Sequence, residues 1–432
     1  MRISTIQAFN NGVQGLQRNY ANVTRTQEQI STGNRILTPA DDPVASVRLL
    51  QLEQQQNVLT QYKENLTAAT NSLTQEESSL NSVNTILQRV RELAVQAGNG
   101  ALSQSDRQSM ALELREREDE LFGLFNSRNA RGEYLFSGFQ GKTQPFVRDA
   151  AGNYSYVGDE GQRELQVAGS LSVPINDNGK KLFENIINAG RLNTLAVAPP
   201  VPLPPLPAGS TLNVSAPLVQ DEVAFSSTPA FPDNGIGIHF TSAANYVVYD
   251  LAAPPTFPVA GPPFVDPNVL ASGQLDDKPS TSDQLVFRGV SIALSGAPVG
   301  TETFTVTLDP TRQKQGLLGT LQTLRVALEA TADTPAGNLA IRDSVAEALT
   351  NLDGGMTRLD LVRGEIGARL NVIESTQTDN EDVSLVNKGV QADLRELDYA
   401  EALSRLSFQS IILEAAQQSF VKISSLNLFN KL

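Results

Sequence analysis

The stretch LTQYKENLTAATNSLTQEESSLNSVNTILQRVRELA, residues 59–94, decides the fold class. Apolar residues recur in it at steps of three and four: Leu59, Tyr62, Leu66, Ala69, Leu73, Leu80, Val83, Leu87, Val90 and Ala94. Glu76 is the acidic interruption on that seam. The spacing predicts one long helix with a single apolar ridge, built to lie against other helices as in a coiled coil. Asp42-Pro43 before it fits an N-cap with proline at the first helical position. Gly98-Asn99-Gly100 ends it.

The same step pattern extends outward in both directions. Upstream lie Phe9, Val13, Leu16, Tyr20, Val23, Gln27 and Ile30, closed by Gly33. Downstream, Met110, Leu114, Arg117, Leu121 and Leu124 mark a shorter helix. The far flank repeats the theme with Leu317, Leu321, Leu324 and Leu328, then Leu349 to Ile373, and finally Tyr399, Ala402, Leu406, Gln409, Leu413, Ala416, Phe420 and Ile423. Asp309-Pro310 reads as a second helix cap. Between the flanks the grammar changes. Of 23 prolines, all but Pro39, Pro43 and Pro335 fall between Pro145 and Pro310. Ile236, Ile238 and Phe240, or Phe304, Val306 and Leu308, alternate with period two, as strands do. Pro199 to Pro207 is a stiff, extended spacer. The fold class expected is therefore mainly α with an inserted β domain: a long antiparallel coiled-coil-like helical bundle from both termini, and a β-rich outer domain in the middle. The expected domains are 1–42 plus 386–432, a terminal helical core; 43–140 plus 310–385, a helical spoke; and 141–309, a β-rich, Pro-rich, acidic outer domain.

Composition excludes several kinds of chemistry. The 432 residues hold no Cys, so disulfides, Cys-ligated zinc and thiol nucleophiles are ruled out. One His, His239, leaves little room for a His-based mechanism; alternation places it opposite Ile238 on a strand, exposed and structural. A formal charge of −14 argues against nucleic acid or an anionic membrane as partner. No apolar run approaches the ~18 residues of a membrane span, and the first residues lack the apolar core of a secretory signal. Nucleotide-binding loops, H-E-x-x-H and Gly-x-Ser-x-Gly are absent. Asp41-Asp42 fits a cap better than a catalytic carboxylate pair, and Asp276-Asp277 fits no calcium loop. No catalytic, cofactor or metal residues are assigned.

The terminal stripes raise a physical question. Ordering residues 9–30 as a helix costs roughly 33 kcal/mol at about 1.5 per residue. Backbone hydrogen bonds return about 18, and six apolar residues about 12 more, but only when buried. Such a helix needs company. Two packings supply it: the two ends pairing within one chain, or neighbouring copies ordering both ends.

Several segments resemble a known family. Gln29-Ile30-Ser31-Thr32-Gly33-Asn34-Arg35-Ile36, followed by Pro39-Ala40-Asp41-Asp42-Pro43, resembles the N-terminal signature of the bacterial flagellin superfamily, in the Asp-Asp-Pro form of its hook-associated branch. Gly132 to Gln140, with Tyr134, Phe136, Gly138 and Phe139, is similar to a segment of that branch's junction proteins, and Asp398 to Ala402 with Ser424 to Leu432 resembles their ending. The resemblance implies a non-enzymatic structural subunit that joins hook to filament. It would be exported without a cleaved signal and located outside the cell. The implied partners are further copies of the chain, a neighbouring hook-associated protein, flagellin, and a cytoplasmic export chaperone at the C-terminus; no nucleic acid or membrane is implied. Assembly would run through Phe9, Val13, Leu16, Tyr20, Val23, Ile30, Tyr399, Leu406, Leu413, Phe420 and Ile423. Gln88 to Leu93 is similar to the flagellin helix read by Toll-like receptor 5, which would place Arg89, Leu93 and Glu113 in a receptor contact; an intersubunit surface is the simpler role for the same residues. Filament flagellin itself, or a secreted adhesin using the middle domain, are the alternatives.

Overall fold

The long seam forms one uninterrupted helix. In the computed structural model the elements at the N-terminal side are α1 (Arg2–Thr32), α2 (Pro43–Ala97) and α3 (Gln104–Phe125). The structure describes residues 2–100, 102–196, 209–257, 259, 264, 266–276, 282–300 and 302–429, and their side chains other than those at 2–6, 8, 196, 335, 336 and 423–429. Pro199 to Pro207 and Asp277 lie outside the described residues. Pro43 opens α2, and Asp42 caps it by accepting from the Ala45 amide at 3.0 Å. Ser103 and Asp106 close a reciprocal capping box on α3. The strands after α3 are β1 (Phe146–Arg148), β2 (Tyr154–Tyr156), β3 (Glu164–Ala168), β4 (Leu171–Pro174), β5 (Ile186–Ile187), β6 (Leu192–Ala196), β7 (Asn213–Val214) and β8 (Leu218–Val219). After the short α4 (Glu222–Ser226) come β9 (Ile236–Phe240), β10 (Asn245–Asp250), β11 (Val269–Gln274), β12 (Ser282–Phe287), β13 (Val290–Ser295), β14 (Thr303–Leu308) and β15 (Lys314–Gln315). The chain returns to helix in α5 (Leu317–Ala330), α6 (Pro335–Arg395) and α7 (Tyr399–Phe429). Helical flanks around a β-rich middle are the expected class.

The chain divides into two compact units. One comprises 1–67, 166–172 and 372–432; the other comprises 68–165 and 173–371. In the second unit the α2 ridge from Ala69 to Ala94 is buried at every apolar seam position. Arg91 donates to Asp353 at 2.7 Å, which sets α2 beside α6. On α6, Leu352, Leu359 and Ile366 are buried, as their spacing predicts. Leu114 and Leu121 of α3 and Leu317, Leu321, Leu324 and Leu328 of α5 are buried as well. The buried Glu118 of α3 is satisfied by Tyr154 at 2.6 Å and Arg325 at 2.7 Å.

The middle strands of this unit make two antiparallel sheets around one core. A five-stranded sheet runs β11-β10-β9-β14-β6. A four-stranded sheet runs β12-β13-β7, with β8 also on β13. Ile236, Ile238, Phe240, Val248, Phe304 and Val306 from the first meet Leu285, Phe287, Val290, Ile292 and Leu294 from the second. That is the inner layer of a sandwich, with alternate residues of each strand facing it. β12 and β13 join through Arg288 and Gly289, both at positive φ (44° and 79°), the backbone that suits a tight hairpin's twist.

Two sequence readings are corrected. Asp309-Pro310 does not start a helix. Asp309 ends β14 in a turn, accepting from the Thr311 amide at 2.8 Å, and α5 begins seven residues beyond Pro310, at Leu317, after Gly316. Proline after aspartate suits the second position of a turn as well as the first of a helix, which is why the signal misled. His239 is half-buried rather than exposed. Its Nδ1 lies 2.7 Å from the Thr303 hydroxyl and its ring 4.2 Å from that of Phe257, which folds over the strand. Burial lowers its pKa, and Glu302 opposes that shift.

Candidate assembly surface and its supporting joint

The residues quoted for the family signature build a joint in the first unit. Gly33 ends α1 at φ +71°, and a Cβ there would sit 2.9 Å from the Tyr399 hydroxyl. Two loops then strap together. The Leu397 amide donates to the Gly33 carbonyl at 3.0 Å, and the Arg35 amide to the Arg395 carbonyl at 2.8 Å. Arg395 Nε donates to Asn34 at 3.0 Å, and Gln29 Nε2 donates to the Arg35 carbonyl at 2.6 Å. Asp41 closes the turn, accepting from the Leu37 and Thr38 amides at 3.0 Å each and pairing with Arg25. The Thr38 and Leu37 amides, helped by the Thr38 hydroxyl and Arg25, hold the Asp41 carboxyl below the usual carboxylate range. So Asp41 and Asp42 are structural, one in the turn and one at the cap.

The joint sets α1 against α7 as an antiparallel pair. The rings of Phe9 and Phe420 lie 5.1 Å apart. Thr26 donates to Gln409 at 2.8 Å, and Arg405 to Gln29 at 3.1 Å. Gly12 lets the Phe420 ring approach, since a Cβ there would lie 3.3 Å from it. Val13, Leu16, Val23, Ile30, Leu406, Leu413 and Phe420 are half-buried, while Phe9, Tyr20 and Tyr399 are exposed. The Ile423 side chain lies outside the described residues. Much of the sequence stripe is thus engaged within the chain. Besides Tyr399, what stays open among the described side chains of α7 is a different set: Leu403, Phe408 (69% exposed), Ile411, Ile412 and Val421. These occupy several faces of the helix, not one. Sequence reasoning missed them because it tracked a single seven-residue repeat; the density of apolar residues off that repeat was the available signal. Elsewhere in this unit Val44, Val47 and Leu50 of α2 and Leu385 and Val386 of α6 are exposed too.

The second signature segment does other work. Tyr134 lies under Arg128 (4.3 Å from its guanidinium carbon to the ring centre), and Phe136 joins a buried cluster with Phe183 and Phe125. Gly138 has φ +71°, and any Cβ would strike Asp159 at 2.2 Å. Phe139 is exposed.

Residues 3–141 match the model of the bacterial flagellin N-terminal helical region. Over these residues the chain is similar to the flagellin superfamily. It is 36% identical over 186 residues to flagellar hook-associated protein 3 of Escherichia coli, and equally so to that of Salmonella typhimurium. The match takes in 43% of this chain and spans 58% of the length of each relative. The crystal structure of hook-associated protein 3 from Legionella pneumophila superposes with a TM-score of 0.62 at 25% identity, over 80% of this chain and 98% of that one. Both signature segments fall inside the matched region or at its edge.

The three residues likened to a receptor contact differ in exposure. Arg89 and Glu113 are accessible and pair at 2.8 Å. Leu93 is only 2% exposed and belongs to the core of the α2 ridge. Its side chain is thus in the core, unlike those of Arg89 and Glu113. No cluster of metal-ligating side chains occurs among the described residues, and no described helix is long and apolar enough to cross a membrane.

Proposed function

We propose that this chain is a structural subunit of the bacterial flagellum, without catalysis, that joins hook to filament and polymerises through its terminal helices. The observation that carries the reading is α7: a helix apolar on several faces, packed on α1, with Leu403, Phe408, Ile411, Ile412 and Val421 among its described side chains open to water. Helices apolar all round are stable when surrounded. Burying each such side chain is worth about 1.5–3 kcal/mol, so contact with neighbouring copies has ample driving force. The similarity to hook-associated protein 3 supports the junction role over that of filament flagellin.

In this reading residues 1–42 and 386–432 form the axial core, 43–140 and 310–385 the spoke, and 141–309 the outer domain. Phe9, Val13, Leu16, Tyr20, Val23, Ile30, Tyr399, Leu406, Leu413, Phe420 and Ile423 hold the helix pair, and Leu403, Phe408, Ile411, Ile412 and Val421 meet other copies. A hook-associated protein lies on the hook side and flagellin on the filament side. The chain reaches the outside escorted by an export chaperone at its C-terminal helix. Arg89 and Glu113 serve an intersubunit surface rather than Toll-like receptor 5. A strain lacking the protein tests the reading: intact hooks with flagellin shed into the medium are expected. Filaments of normal length on such a strain would contradict it.

A further inference from the structure

The buried stretch of the α2 ridge contains an acid. Glu76 lies between the fully buried Leu73 and Leu80 and is itself 2% exposed. Its Oε1 accepts from the Asp177 amide at 3.0 Å. Its Oε2 is buried and has no hydrogen-bond partner among the described residues. Asp177, just past β4, is also fully buried, but its carboxylate is fully engaged. Arg369 of α6 donates to it at 2.8 and 3.4 Å, Gln162 donates at 2.6 Å, and Lys181 Nζ lies 3.6 Å away. Arg369 and Lys181 also reach Glu365, at 3.4 and 3.0 Å.

The charges around Glu76 therefore already balance. Two cations, Arg369 and Lys181, face two carboxylates, Asp177 and Glu365. An ionised Glu76 would add a third negative charge in a buried place with no donor for its second oxygen, which is costly. A protonated Glu76 keeps the cluster neutral and still accepts the Asp177 amide.

We propose that Glu76 is a pH-sensitive latch: protonated, it pins the segment that leaves β4, around Asp177, to α2 and α6; ionised, it releases that segment. Burial, and then the nearby Asp177 charge, raise the Glu76 pKa well above its usual value of 4.5, against the opposing pull of the Asp177 amide, Arg369 and Lys181. Linkage sets the sign. A carboxyl whose folded pKa is raised binds its proton more tightly when folded, so its contribution is complete below the unfolded pKa and is lost as pH rises through the folded one.

The test compares the full-length protein with Glu76→Gln, which keeps the acceptor and removes the ionisation. Thermal unfolding is monitored from about pH 5 to pH 10. The wild-type midpoint should fall relative to that of the variant as pH rises, and amides of residues 175–181 should exchange faster than in the variant at the same alkaline pH. Parallel pH profiles with equal exchange would overturn the latch. A second measurement needs no variant to fold well: carbon-13 NMR of wild-type protein labelled at its glutamate carboxyls. One carboxyl should titrate far above the rest. Ordinary titration of every glutamate would likewise overturn it.

Discussion

The ridge of α2 and the stripe of α7 share one spacing and meet opposite fates. From Ala69 to Ala94 the α2 ridge is covered by its own chain, with Leu73, Leu80, Val83, Leu87 and Val90 all fully buried. On α7, Leu406 and Leu413 are only half-buried against α1, and Phe408, Ile411 and Ile412 face water. The difference lies in the number of neighbours. The α2 ridge has helices and sheet-bearing segments around it, while among the described residues α7 packs chiefly on α1 and the joint. An apolar spacing thus states that a helix must be covered; it does not state by what.

The comparison breaks most visibly by truncation. Removing residues 1–30 or 405–432 should abolish incorporation into flagella, while circular dichroism still reports a folded helical spoke; motile cells expressing either truncated chain would refute the assembly role. Next in size is a core substitution. Leu80→Ala on the closed ridge should cost about 2–5 kcal/mol by chemical denaturation. Its counterpart on the open face, Ile411→Asp, should change the isolated chain by no more than about 0.5 kcal/mol yet block incorporation. Equal destabilisation by the two would erase the distinction between covered and open. Leu406→Asp is a poorer probe, because Leu406 sits in the α1–α7 seam and its loss would also split the pair.

The joint gives smaller effects. Gly33→Ala puts an L side chain at positive φ against the Tyr399 hydroxyl and should destabilise the first unit by about 1 kcal/mol or more. Asp42→Ala removes the α2 cap and should cost about 1 kcal/mol. Asp41 adds a pH dependence. Its folded pKa is depressed, so its contribution is present above the usual aspartate range and is lost as pH falls through the folded value. Asp41→Asn should flatten the acid limb of the unfolding profile; an unchanged limb would remove Asp41 from the account.

Sequence made some of this legible and hid the rest for identifiable reasons. The α2 ridge was readable because a long run without Gly or Pro repeats one step pattern, and the Asp42 cap because Asp-Pro preceded that run. Asp309-Pro310 carried the same local signal and formed a turn, since Lys314 and Gln315 beyond it pair with β5 as strand β15 instead of opening a helix. β9 and β14 alternate cleanly. β12 and β13 escaped because their hairpin turns at Arg288-Gly289, not at a common turn pair. His239 was misplaced because period two predicts which face a residue takes, not that a distant loop bearing Phe257 covers that face. The open face of α7 was hidden for a similar reason. One stripe explained the helix well enough that Leu403, Phe408 and Ile411 looked like ordinary surface residues.

Amide exchange on the isolated full-length chain, set beside the same chain in assembled flagella, tests the central claim most directly. The account predicts slow exchange across residues 69–94 in both samples, and fast exchange across 9–30 and 402–422 that becomes slow only on assembly. Equal, strong protection of those terminal stretches in the isolated chain would contradict it.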